Sequence, residues 1–154
     1  MQRRTMLIGL ALLPATPTQA NTSWMLVTED EYRRSHAAGP LSMPRAMPSP
    51  DGPAILVQAP ADPTQPLKPP ILFRVAFQPP QGAKIDVKSF QALYGTFNID
   101  ITSRLLEHCS ISPNGFEAKD MAIPAGEHRV TLIIADNQGH QSTRTFRFVV
   151  AQGG

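Results

Sequence analysis

Hydrophobic and polar residues alternate most regularly in the last third of the chain. Val130, Leu132 and Ile134 alternate with Arg129 and Thr131. After Asp136-Asn137-Gln138-Gly139, Phe146, Phe148 and Val150 alternate with Thr145 and Arg147. A period of two with one apolar face is the pattern of a half-buried antiparallel strand. Asn and Gly supply the backbone angles a tight reversal needs. The pattern predicts one long β-hairpin from Glu127 to Val150.

Upstream, the same alternation recurs in shorter pieces. Ile55–Val57 reads as a strand. In Ile71–Phe77 the side chains of Ile71, Phe73, Val75 and Phe77 share one face. Asp86–Ser89 reads as a small turn. Phe90, Ala92 and Tyr94 line another strand, and Gly95–Asn98 turns the chain again. Asp100 is placed to cap a single helical turn over Ile101–Leu105. Cys109–Ile111 and Phe116–Ala118 read as brief strands around Pro113-Asn114-Gly115. About seven short strands with frequent turns predict an all-β antiparallel sandwich. Phe77, Phe146 and Phe148 belong to its core.

Outside the sandwich, the pattern changes twice. Arg3 and Arg4 precede a short apolar run, Met6–Leu13; Pro14 breaks it, and Thr18-Gln19-Ala20 ends on a small residue. This is the layout of a secretory signal over residues 1–20, and its apolar run is too short to span a bilayer. The adjacent arginines also loosely resemble a twin-arginine signal. Residues 21–53 form an N-terminal arm and a linker. Trp24–Val27 reads as extended, and Thr28 with Glu31 three residues on is a capping box that opens a short helix over Glu29–Ala37. Gly39-Pro40 ends it. Pro40, Pro44, Pro48, Pro50 and Pro53 then stiffen the chain towards extended geometry. Residues 54–154 are the sandwich domain.

Removing the signal changes the charge. Of 14 basic residues, Arg3 and Arg4 leave with it, so 12 remain against 12 acidic ones. A neutral chain has no basic stripe for phosphates, which argues against nucleic acid and against anionic membrane surfaces. No second apolar run of membrane length follows, so the exported chain has no stable membrane anchor and resides in the periplasm or outside the cell. Cys109 is the single cysteine. It forms no intrachain disulfide and is expected to be buried as a small hydrophobe.

The stretch Pro124-Ala125-Gly126-Glu127-His128, with Val130, Leu132, Ile134 and the Asp136-Asn137-Gln138-Gly139 turn, resembles the last two strands of bacterial immunoglobulin-like domains. Those domains often enter the strand as Gly-x-Tyr-x-Val-x-Val and leave it through Asp-x-x-Gly. Ile85-Asp86 to Ser89 with Phe90 is similar to the loop before a middle strand of the same domains. The likeness covers roughly Gly52 to Ala151. His128 stands where the family often places a corner-tying aromatic. The resemblance implies an immunoglobulin-like antiparallel sandwich that binds or spaces, without catalysis.

The residues themselves offer little reaction chemistry. His128 and His140 lie at opposite ends of the predicted hairpin; about eight residues of strand, or roughly 26 Å, separate His128 from the turn that leads to His140, too far for one ligand shell. His108 and Cys109 are adjacent, and on a strand they would face opposite sides. No HExxH, Cys-x-x-Cys, Gly-x-Ser-x-Gly or glycine-rich phosphate loop occurs. No catalytic, cofactor or metal residue is assigned, and no cofactor is expected. Met25, Met43 and Met47 near His36 carry the alternative of a periplasmic copper carrier of the small sandwich type, because thioethers favour Cu(I). Asp100, Asp136 and Asn137 would suit calcium only if more oxygens converged; as a cap and a turn they have a simpler use. Trp24, Met25, Leu26 and Tyr32 are the candidate partner-binding residues, since aromatic and methionine anchors are what interfaces favour. The arm either folds back on the sandwich or docks on a partner, a second copy included. The expected function is a non-enzymatic binding or assembly module of the cell envelope, engaging a protein or glycan.

Overall fold

The computed structural model describes residues 23–37 and 50–152, and positions 9, 11 and 14 individually. The expected signal over residues 1–20 and linker residues 38–49, with Met43 and Met47, lie outside the described residues. Among the described residues no helix is long and apolar enough to cross a membrane.

The chain is an all-β sandwich. Its strands are β1 (Trp24–Met25), β2 (Ala54–Ala59), β3 (Ile71–Gln78), β4 (Ile85–Tyr94), β5 (Ile99–Asp100), β6 (Gly115–Ala122), β7 (Gly126–Asp136) and β8 (Gln141–Val150). Among the described residues two helices accompany them, α1 (Glu29–Ala37) and α2 (Thr102–His108). One sheet has the order β1-β6-β3-β2 and the other β5-β4-β7-β8. All pairings are antiparallel except β1 on β6.

Alternation decides which faces meet. Ile71, Phe73, Val75 and Phe77 from one sheet pack against Phe90, Ala92, Tyr94, Val130, Leu132, Ile134, Phe148 and Val150 from the other, all buried. Phe73 meets Phe148 edge-on at 5.0 Å between ring centres, a geometry the ring quadrupole favours. Phe146, expected in the core, is only partly buried at its margin, because β8 is an edge strand with one side open.

The hairpin forms as the alternation predicts, with Gly126 opposite Val150 and Ala135 opposite Gln141. Three local readings are corrected. Asp86–Ser89 is not a break between elements: β4 runs through it, its register against β7 shifting between Asp86 and Gln91, a bulge held by Ser89 Oγ donating to Asp86 O. The helical turn after Asp100 is longer than read, reaching His108. Cys109–Ile111 is consequently not a strand; Cys109 ends α2, its N–H donating to Leu105 O, and packs half-buried against the core. The Gly95–Asn98 turn leads into β5, too short at two residues to show a period.

Candidate functional site

The arm folds back onto the sandwich. Leu26 (1% exposed) and Val27 (0%) enter the core. Trp24 and Met25 pair parallel with Met121 and Ala122 of β6, and Leu26 N–H donates to Ala122 O at 3.2 Å. The Trp24 indole N–H donates to Lys119 O at 2.8 Å, and its ring lies nearly parallel over His108 at 4.2 Å.

Thr28 and Glu31 form the capping box: Glu31 Oε2 accepts Thr28 N–H at 2.8 Å, and Thr28 Oγ1 accepts Glu31 N–H at 3.3 Å. The same carboxylate takes both Arg104 terminal nitrogens, at 2.9 and 3.0 Å. Arg104 Nη1 also donates to Leu26 O at 2.6 Å. One guanidinium of α2 therefore fastens strand and helix of the arm together. Its hydrogen bond holds the Glu31 carboxyl at a pKa of about 2, against the opposing effect of partial burial.

Two glycines make room for α1. A Cβ on Gly126 (φ +129°) would come within 2.0 Å of the Tyr32 hydroxyl oxygen, and one on Gly95 (φ +72°) within 2.0 Å of Ser35 Oγ. Both positive φ values are ones other residues rarely adopt. Ser35 is buried and accepts Thr96 N–H at 3.2 Å.

Under Tyr32 lies His128, 1% exposed. Its Nε2–H donates to Pro124 O at 2.6 Å, four residues upstream, and its Nδ1 accepts the Tyr94 hydroxyl at 2.7 Å. This partner set defines the tautomer: a carbonyl can only accept, so Nε2 carries the proton. His128 thus ties the start of β7 both to Pro124 and to β4. Burial pushes its pKa down, as does His36 nearby, against the hydrogen bond to Pro124. Burial likewise pushes the Tyr94 hydroxyl far up.

Of the four residues singled out in the arm, Leu26 lies in the core, Trp24 and Tyr32 are half-buried against His108 and His128, and Met25 is 52% exposed. His128 and His140 are at opposite ends of β7, as their spacing requires. At the far end the Asp136 carboxylate, itself buried, accepts the amides of Gln138 and His140, each at 2.9 Å, and meets His140 Nδ1 at 3.0 Å. Burial raises its pKa, and these hydrogen bonds outweigh that and hold it below the usual range. Among the described residues no three His, Cys, Asp or Glu side chains converge as a metal would require.

A second surface lies along β8, which has a neighbour, β7, on one side. Asp136 N–H donates to His140 O at 3.0 Å, and in an antiparallel ladder bonded and non-bonded pairs alternate from there. Ser142, Arg144, Phe146 and Phe148 then turn their backbone groups to β7. Thr143, Thr145, Arg147 and Val149 turn theirs to the open side. The side-chain bond between Thr131 and Thr145, 2.9 Å, fits the close approach of a non-bonded pair. Val149 O accepts Leu67 N–H at 2.7 Å and Leu67 O accepts Ala151 N–H at 2.8 Å, so the last of the outward positions is already covered. Among the described residues no backbone group bonds the outward N–H and C=O groups of Thr143, Thr145 and Arg147. The alternation of β8 was legible in the sequence; which strand stands at the margin was not, because sheet order follows from contacts distant in sequence.

Comparison of the chain with protein-family models, with curated proteins and with solved structures returned no match.

Proposed function

We propose that the chain is an exported, non-enzymatic binding module of the cell envelope, built as an immunoglobulin-like sandwich, that recognises an extended segment of a partner protein by strand addition to β8. The observation that carries the reading is the run Thr143, Thr145 and Arg147. By the alternation that the Asp136–His140 bond sets, each offers an outward N–H and C=O, the main-chain groups an added strand uses. Leu67 already bonds the edge one step further along, a short pairing of the kind a partner strand would extend. The mixed Thr and Arg side chains suit a surface that is selective rather than sticky, since edge charges discourage indiscriminate pairing.

Two features support the immunoglobulin-like assignment. The three-strand cores β2-β3-β6 and β4-β7-β8 follow the A-B-E and C-F-G order of that architecture. His128 at the start of β7 bonds back to Pro124 O, the role a corner tyrosine plays there.

The test compares the purified chain with Thr145→Pro in capture from envelope extract. Proline removes an outward N–H and leaves the main-chain bonds to β7 in place, losing only the exposed side-chain bond to Thr131. The reading predicts a partner retained by the native chain and lost by Thr145→Pro, with melting little changed. Equal capture by both, or capture of glycan alone, contradicts it. Copper titration followed by histidine and methionine NMR shifts separates it from the copper-carrier alternative.

A further inference from the structure

We propose that the segment added to β8 is acidic: it carries two carboxylate side chains three residues apart, one facing Arg147 and one facing Arg144, with an apolar residue beside the first and over Phe146. The inference rests on the strand-addition reading and names the chemistry of the partner which that reading requires.

Positive charge is left unbalanced at this edge. Among the described residues Arg33, Arg74 and Arg104 each meet a carboxylate, of Glu29, Glu117 and Glu31 respectively. Arg34, Arg129, Arg144 and Arg147 meet none, and all but Arg34 stand on β7 and β8. Arg129 and Arg147 are register partners. By the ladder alternation they form a non-hydrogen-bonded pair, in which opposite side chains lie closest, and like charges directly opposite repel. Arg129 turns one terminal nitrogen to Gly95 O at 3.2 Å, an uncharged acceptor that does not neutralise it. Glu127 stands on the same face of β7, opposite Val149, yet among the described residues it forms no ion pair with either arginine. A carboxylate brought to this row relieves a repulsion that the free chain retains.

The ladder fixes which partner side chains meet these charges. Arg147 turns its backbone groups outward, so the partner residue opposite it stands ~5.5 Å away between Cα atoms. Its side chain lies on the face that carries Arg129 and Arg147, and a carboxylate there extends the row from β7 through β8 to the added strand. One position along β8, Phe146 turns to the inner face and is only partly buried, so an apolar partner residue there covers it. Arg144 lies on that same inner face, opposite the buried Leu132, and is exposed at the open margin. The partner residue three from the first acid falls opposite Arg144, whichever way the added strand runs. A second copy's β8 does not supply these groups: Gln141–Val150 holds two arginines and no acidic residue.

The experiment measures, by fluorescence anisotropy, the binding of short labelled peptides to the full chain. The probe is Thr-Glu-Val-Val-Glu-Thr-Thr, which presents the pattern in either strand direction; two companions carry Gln or Lys in place of both Glu. The proposal predicts that the Glu peptide binds about tenfold more tightly than the Gln peptide, the worth of two exposed ion pairs, and that added salt narrows the difference. Thr145→Pro is predicted to abolish binding of both. Arg144→Glu combined with Arg147→Glu is predicted to turn the preference to the Lys peptide, which a loss of folding would not do. Equal binding of the Glu and Gln peptides, both lost in Thr145→Pro, overturns the acidic partner and leaves strand addition standing. Glu-peptide binding unchanged by Thr145→Pro overturns both. No binding of any peptide overturns the acidic partner, and capture from envelope extract then decides strand addition. Binding of a heparin fragment in place of the peptides assigns the arginines to an anionic glycan and overturns the proposal.

Discussion

The Tyr94 hydroxyl donates to His128 Nδ1 at 2.7 Å, and the imidazole Nε2–H donates to Pro124 O at 2.6 Å. Both residues are 1% exposed. The pair links β4 to the start of β7 and forms the floor on which Tyr32 of the arm rests, 5.0 Å from His128 between ring centres.

This makes the fold acid-sensitive in a defined window. A proton added to His128 would land on Nδ1, where Tyr94 already donates, and would be a buried charge. The folded-state pKa lies below the ordinary value near 6.5. Between those two values the unfolded chain binds a proton that the folded chain refuses, so stability falls as pH drops through that range and is restored above it. Melting temperature is predicted to decrease from pH 7.5 to pH 5. His128→Gln, which keeps a donor and an acceptor, is predicted to flatten that dependence relative to the native chain. An unchanged slope would contradict the assignment to His128.

The Arg104–Glu31 pair titrates lower. With Glu31 held at about 2 in the folded chain against an ordinary 4.5, its contribution is complete above about pH 4.5 and is lost as pH falls through about 2. Glu31→Gln is predicted to cost about 1–3 kcal/mol at pH 7, the range for a charge-assisted hydrogen bond with some solvent access. It should also loosen α1 without unfolding the sandwich. Chemical denaturation and the near-ultraviolet signal of Trp24 read the two effects separately.

Gly126→Ala tests the fit of the arm. The new methyl meets the Tyr32 hydroxyl and sits at φ +129°, so a loss of about 1–3 kcal/mol from backbone strain is expected together with displacement of α1. A double-mutant cycle with Tyr32→Ala is predicted to show non-additivity, because removing the ring leaves only the backbone part of the cost. Additive losses would mean that the two positions do not touch.

Phe148→Ala removes a ring that stacks on His128 at 5.4 Å and meets Phe73 edge-on. A loss of about 3–5 kcal/mol is expected on equilibrium unfolding. Phe146→Ala, at the partly covered margin, is expected to cost less.

What the sequence disclosed follows the range of the interactions. The hairpin and the Thr28–Glu31 box were legible because each is decided within a few residues, by alternation in one case and by a three-residue spacing in the other. The extent of α2 was legible but shorter in the reading: Ile101, Leu105 and Cys109 recur every four residues, the helical period, over a segment of only two turns. The bulge at Asp86–Ser89 looks the same as a turn until the register with β7 is known. At the arm, the apolar residues announced an interface, but their counterparts did not announce themselves. Arg104 is 73 positions from Glu31, and Tyr94 is 34 from His128. Glycines 95 and 126 looked like turn residues, and their second role, making room for Ser35 and Tyr32, appears only when the arm is in place.

Amide hydrogen exchange along β8 tests the open edge most directly. The account predicts alternation: slow exchange at Ser142, Arg144, Phe146 and Phe148, whose N–H groups face β7, and fast exchange at Thr143, Thr145 and Arg147. Uniform protection from Ser142 to Phe148 in the purified chain would mean the edge is already paired and would contradict strand addition there.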